Sequence, residues 1–292
     1  MRKRIGTTLA ALAMLSVGGM LGGTPTAHAD EAAGHYNMGL QLKREGKVPE
    51  AIAEVEKAIV ARPNYAAAHL TLGNLFRSQG SYDKAATEYE KVVKLEPKDP
   101  IAHGNLGAAY VRTKRLDEGI KELERSVELS PNEYEVRVSL GFAYRQKGDY
   151  KSAIAHLEKG AELQPNDPSV WSNLGVAKSK TDDKPGAIAA FKKALQLNPN
   201  DAELHFNLAT VYRRQREYDQ AIGEYEAAVR TNPSLAKAYY DLGLLYTQDR
   251  RTDDAIQALE KFLQYGVSED APSRKDAQER LDSLKGSAAK KK

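Results

Sequence analysis

Apolar positions along this chain recur on two length scales. Locally they fall three and four residues apart, as in Leu106, Ala109 and Tyr110, and again in Ile120, Leu123 and Val127. That spacing predicts amphipathic helices. Over longer distances the whole pattern returns every 34 residues, marked by Pro63, Pro97, Pro131, Pro165, Pro199 and Pro233. Gly39, Gly73, Gly107, Gly141, Gly175 and Gly243 keep the same period, with Ala209 in the sixth place. Leu72, Leu106, Leu140, Leu174, Leu208 and Leu242 form a third ladder headed by Met38. Ala51, Ala85, Ala153, Ala187, Ala221 and Ala255 form a fourth, interrupted by Gly119, and Val267 fills the last proline slot. A fixed period of this length is the mark of a stacked-repeat architecture.

Each period predicts two helices. Small residues such as Gly107 and Gly119 let the two backbones approach where a larger side chain would hold them apart. The proline ends the second helix, because it lacks an N–H and pushes the preceding residue into extended backbone. Asp99-Pro100 and Asp167-Pro168 then restart the chain as N-cap plus first-turn proline. Asp83, Asp117, Asp219 and Asp253 are expected to cap second helices. The units span 32–65, 66–99, 100–133, 134–167, 168–201, 202–235 and 236–269, and positions below are counted within each unit. Residues 271–285 predict one capping helix, with Ala277, Leu281 and Leu284 inward and Arg274, Lys275, Glu279 and Arg280 solvated. Residues 286–292 read as a basic tail.

The pattern resembles the tetratricopeptide (TPR) repeat family, most literally at Trp171, Leu174, Gly175, Ala187, Phe191 and Pro199. The resemblance implies an all-α, right-handed superhelical solenoid of seven helix-turn-helix repeats plus a C-terminal capping helix. It also implies a concave groove lined by the first helices, chiefly at positions 2, 5, 6, 9, 12 and 13. Unit five departs from the pattern, with Lys178 and Lys184 where aromatics are usual and a polar turn over 181–186, which predicts a hinge.

The N-terminus changes the picture of charge. Arg2-Lys3-Arg4, the apolar run from Ile5 to Val17 and Ala27-His28-Ala29 before Asp30 read as a secretory signal over 1–29. Export to the periplasm or outside the cell follows, with cleavage between Ala29 and Asp30. Removing those residues takes 43 basic against 40 acidic residues to 40 against 40. A neutral chain gives no whole-protein argument for nucleic acid. There is no cysteine, so disulfides and thiolate metal sites are excluded.

Candidate chemistry is sparse. His35, His69, His103 and His205 share position 4, where they read as partly buried aromatics and not as a metal ladder. Equivalent positions on stacked helices lie roughly 10 Å apart, too far to share one ion. No catalytic motif occurs, and we expect no enzyme, cofactor or metal. The tyrosines and Trp171 read as core.

The ligand is expected in the groove. Position 6 reads Asn37, Thr71, Asn105, Ser139, Asn173, Asn207 and Asp241. This run resembles the asparagine ladder by which superhelical family members hold an extended peptide. An amide both donates and accepts, as a peptide unit does. Positions 12 and 13 carry Lys43, Arg44, Arg77, Arg112, Arg145, Lys180, Arg213 and Arg214 and no acid. With Asn74 at position 9, these side chains are the candidate peptide-binding groove. The basic stripe suits an acidic segment or a free C-terminus, and also complements the helix macrodipoles. The two-carboxylate clamp of chaperone-binding members is absent, since Leu70, Glu135 and Ser139 stand where its cations would be. The expected function is a non-catalytic scaffold for a protein partner, of the kind that assembles pili or secretion machinery. The alternatives are a cell-wall or polysaccharide-binding module and an accessory subunit of an enzyme.

Overall fold

The computed structural model describes the backbone of residues 25–289 and the side chains of residues 30–287. Fifteen helices and no strand occur among the described residues, so the chain is an all-α repeat solenoid. Residues 1–24 of the expected signal lie outside the described residues. No described helix is long and apolar enough to cross a membrane.

The chain divides into two compact units, 1–75 and 76–292. The first contains α1 (Pro25–Arg44), α2 (Val48–Ala61) and most of α3 (Ala66–Ser78). The Ala29-Asp30 junction therefore lies inside α1. α1 and α2 pack closely because Gly39 faces Val55, where a Cβ would lie 2.6 Å from Val55 Cγ2. Tyr36 packs its ring against Tyr65 at 5.0 Å and reaches Thr71 Oγ1 with its hydroxyl. Met38, at the head of the leucine ladder, is 48% exposed, whereas every leucine in that ladder is buried.

The second unit runs from the end of α3 through α4 (Tyr82–Leu95), α5 (Pro100–Arg112), α6 (Leu116–Leu129), α7 (Tyr134–Lys147) and α8 (Tyr150–Leu163). It continues with α9 (Pro168–Lys180), α10 (Lys184–Leu197), α11 (Ala202–Gln215), α12 (Tyr218–Thr231), α13 (Ala236–Gln248), α14 (Thr252–Tyr265) and α15 (Ala271–Ala289). Each helix packs on its chain neighbour, and consecutive first helices also touch, α5 on α7, α7 on α9 and α9 on α11. First helices approach one another more closely than second helices do, so they line the inner side of this unit.

The core is built from the ladders. Gly107 and Gly119 face each other across α5 and α6, and a Cβ on either would meet the other's carbonyl oxygen at under 3 Å. Leu123, Leu157, Phe191, Tyr225 and Leu259 fill the space between the two helices of each unit and are all fully buried. Each second helix that a proline follows stops two residues before it, and the intervening residue is extended at Ser130 and Asn232.

Two features of the turns depart from the sequence reading. Asp99 and Asp167 cap α5 and α9 as expected, accepting from the amides of Ile101 and Ser169. Asp83, Asp117, Asp219 and Asp253 do not cap. They lie in the first turn, two residues past the N-caps Ser81, Arg115, Glu217 and Arg251, none of which bonds an amide through its side chain. There they complement the helix N-terminus electrostatically. The side chains that cap are Asp149 on α8, Asp183 on α10 and Asp201 on α11. Position 15 also adopts a left-handed backbone in every unit: Gly46, Gly80, Lys114, Gly148, Asp182, Arg216 and Arg250 all have φ between 62° and 85°.

The capping helix runs to Ala289, past the expected end at 285, so residues 286–289 are helical and not tail. Ala277 and Leu281 bury against Leu259 and Phe262. Arg274 is not solvated as expected. It donates to the carbonyls of Leu263 and Gly266 and closes the end of α14.

Candidate functional site

The inner face depends on how each first helix is seated, and position 4 sets that seat. Nε2 of His69, His103 and His205 bonds the carbonyl of Pro63, Pro97 and Pro199 respectively. Trp171 Nε1 and Arg137 Nε do the same to Pro165 and Pro131. Five side chains of three kinds thus hold the proline carbonyl six residues earlier, which would otherwise have no helical partner. The opposite nitrogen of His35, His103 and His205 meets Glu54, Glu122 and Glu224 at 2.6–2.7 Å. Among the described residues no group of three or more His, Asp and Glu could hold a metal.

Two ion pairs join the successive first helices α11 and α13: Lys237 meets Glu203 at 2.8 Å, and a second pair lies on the inner face. Arg213, at position 12 of α11, lies 3.6 Å from the Asp241 carboxylate at position 6 of α13. Asp241 also meets the Tyr225 hydroxyl, which rises from α12 and bonds Thr210. Burial pushes the Asp241 carboxyl above the ordinary aspartate range despite the nearby guanidinium. Positions 6, 9 and 12 therefore run together along the inner face, three residues apart on each helix.

Arg145 has the same repeat position as Arg213 and a different environment. It is half-buried in α7 and lies over the Phe142 ring at 5.3 Å. It has no ion pair, and its Nε is buried with no hydrogen-bond partner. Burial lowers its pKa from the usual arginine value. Its repeat-equivalent neighbour is Asn173, where Arg213 has Asp241. Arg213 Nε is likewise buried and unbonded.

The remaining candidate residues divide. Arg112 turns away to stack on Tyr82 at 4.9 Å and donate to its hydroxyl. Arg214 donates to the carbonyl and hydroxyl of Ser179 and reaches Asp182, tying α11 to α9. Arg77 and Lys180 are exposed at helix ends. Asn173 is taken up by the Ser169 carbonyl of its own helix, while Asn105 and Asn207 are half-buried on the inner face. Asn74 is half-buried in the first unit, where Asn37, Lys43 and Arg44 are exposed. The structure thus singles out Arg145 and Arg213 from the basic stripe. A buried Nε with no hydrogen-bond partner distinguishes them, and periodicity carries no signal of burial.

The comparisons with known proteins agree with this architecture. A search of curated proteins gives no match. Among solved structures, one of MamA is similar over 56% of this chain and 95% of its own, with 28% identity and a TM-score of 0.54. The C-terminal part of a TPR repeat-containing protein from Cytophaga hutchinsonii matches 83% of this chain and 98% of its own at 18% identity and TM-score 0.67. YrrB, a TPR protein described as having an unusual peptide-binding site, matches 66% and 99% at 21% identity and TM-score 0.57. The family model for the cilia and flagella-associated protein 70 C-terminal domain matches residues 5–277. The chain belongs to that family of tetratricopeptide-repeat proteins.

Proposed function

We propose that this chain is a non-catalytic protein-interaction scaffold, and that the first-helix face of its second unit holds an extended, carboxylate-bearing segment of a partner. The observation that carries the reading is Arg145. A guanidinium half-withdrawn from water with no acid beside it is costly to keep. A ligand carboxylate would supply the missing partner through charge-assisted hydrogen bonds. The short polar side chains of position 6 lie along the same face and suit peptide amides. A free C-terminus supplies the same chemistry as an acidic side chain.

The leader-like pattern over 1–29 places this scaffold outside the cytoplasm in our reading, and envelope assembly is the role we assign it there. N-terminal sequencing of the protein recovered from cells checks the first point: a chain beginning at Asp30 supports export, and one retaining Met1 removes it.

The binding test is a capture from envelope extract with residues 30–292 as bait, beside the same bait carrying Arg77→Glu, Arg145→Glu and Arg213→Glu. A partner held only by the unaltered bait, and released as salt rises, is expected. Equal capture by both would mean that these cations only complement helix ends.

A further inference from the structure

The two half-buried arginines of the inner face differ in the neighbour that the next first helix supplies, and that difference carries information about the ligand. Arg145 and Arg213 occupy position 12 in units four and six. Both have a buried Nε without a partner. At Arg213 the neighbouring first helix supplies the Asp241 carboxylate at 3.6 Å, and at Arg145 the same place in the repeat carries the neutral Asn173. Asp241 is held by the Arg213 guanidinium and by the Tyr225 hydroxyl. Only 13% of its side chain is exposed, and its carboxyl is pushed upward by burial. Its contact with Arg213 is longer than a good ionic hydrogen bond.

We propose that Asp241 is a built-in substitute for a ligand carboxylate, and that it closes a second docking point at Arg213 while Arg145 stays open. This rests on the reading of the inner face as a carboxylate-binding surface. The chain itself shows the geometry in which such a group meets an arginine of this row, set between position 12 of one first helix and position 6 of the next. Asp241 thereby determines specificity. With it in place the second unit takes one carboxylate, at Arg145. Without it the unit takes two, spaced by two repeats.

The spacing fixes the ligand that would detect the difference. Adjacent packed helices advance by roughly 10 Å, so two repeats span roughly 20 Å. An extended peptide rises about 3.3 Å per residue, so about six residues bridge the two sites. Side chains six apart in an extended chain also point to the same side.

The experiment uses the full chain and synthetic peptides of a Ser-Asn-Gly background, N-acetylated and C-amidated, with fluorescence anisotropy at low salt. One peptide carries a single Glu, a second carries two Glu six residues apart, and a third has no Glu and a free C-terminus. The unaltered protein is expected to bind the one-Glu and two-Glu peptides with affinities within about threefold. Asp241→Asn is expected to tighten the two-Glu peptide at least tenfold and leave the one-Glu peptide within threefold, as linked binding requires. Asp241→Ser, which copies Ser139 at the same repeat position, should reproduce the gain, and thermal melting confirms that both variants are folded. If Arg145→Gln abolishes binding while neither Asp241 variant distinguishes the peptides, Asp241 is no substitute ligand and the open site alone survives. If Arg145→Gln leaves binding unchanged, or no acidic peptide binds any variant, the carboxylate-binding reading fails as well. Binding of the third peptide alone would assign the site to a chain terminus, and the gain with paired Glu would then be absent, overturning the two-site proposal.

Discussion

At the scale of single residues, the side chains that look most like chemistry serve to seat helices. Position 4 holds a proline carbonyl through histidine, tryptophan or arginine, and position 23 of the same unit changes to match. His35, His103 and His205 each face a glutamate, Arg137 donates to Nδ1 of His156 at 3.3 Å, and Trp171 packs over a cluster containing Ala190. His103→Ala should therefore cost about 2–3 kcal/mol in unfolding free energy, from two lost part-buried hydrogen bonds and lost packing. Adding Glu122→Ala should cost clearly less than the sum, as denaturant titration of the four proteins in the cycle would show. Arg216 and Arg250 sit at φ 64° and 62°, a region strained for any residue with a Cβ. Changing either to Gly should raise stability by about 0.5–1 kcal/mol, visible as a higher Tm. Asp241 gives a pH signature. A carboxyl raised by burial favours the fold most when protonated, so its contribution falls as pH rises through its folded value. Asp241→Asn should match the parent near pH 3 and melt higher near pH 7; a constant gap across that range would refute the assignment. The sequence already placed these histidines in a structural slot. It could not show their glutamates, which lie 19 residues away on the other helix. The aspartates of the second helices differ from caps for a related reason: an offset of two residues separates a capping side chain from one that acts only through the dipole.

Between elements, the junctions of successive units share a bridge from position 11 back to position 25 of the preceding unit. Tyr110 donates to Glu90, Tyr144 to Glu124 and Tyr246 to Glu226. Arg115 and Arg251 lie over the rings of Tyr110 and Tyr246 at 3.9 and 4.2 Å. The tyrosine hydroxyls are held in their neutral form by burial and the facing carboxylate, to about 12 at Tyr110 and Tyr144. This frame explains unit five. Lys178 lacks the ring but keeps the bridge, with Nζ 2.8 Å from Glu158 at 19% side-chain exposure. In the next junction Lys192 lies over the Tyr212 ring at 5.7 Å. The polar turn is also tied down, by the Asp183 cap and by Arg214 from α11. Glu158→Lys should thus destabilise by about 2–3 kcal/mol by leaving Lys178 half-buried against a like charge, whereas Lys178→Tyr should be nearly neutral. The hinge expected from the composition of this unit rests on one ladder position taken alone. The partner that rescues Lys178 stands in another ladder, one unit earlier.

For the molecule, a repeat array is stabilised by neighbour interfaces more than by any single core. Hydrogen exchange should accordingly show residues 176–190 as protected as units three and four; early exchange there would restore the hinge. The end of the array depends on α15, which covers Leu259 and Phe262. Removing residues 271–292 uncovers part of both and should cost about 2–4 kcal/mol, with unit seven exchanging first. The period, the paired helices and the family were legible in the sequence because each rests on residue identity at fixed spacing. The open and closed arginines were not, because Arg145 and Arg213 are the same residue at the same position and differ only in what the next helix sets beside them.

The matched choice at positions 4 and 23 also constrains how such a gene can change. Tandem copies of a 34-residue unit invite unequal crossing-over, which can lengthen, shorten or shuffle the array. A crossover at a unit boundary carries each first helix away with its own second helix, so His103 keeps Glu122 and Trp171 keeps Ala190. A crossover inside a unit would set Trp171 over a carboxylate or leave a histidine facing alanine. Whole units are therefore the fragments that this array can exchange without losing this match, and half-units are not.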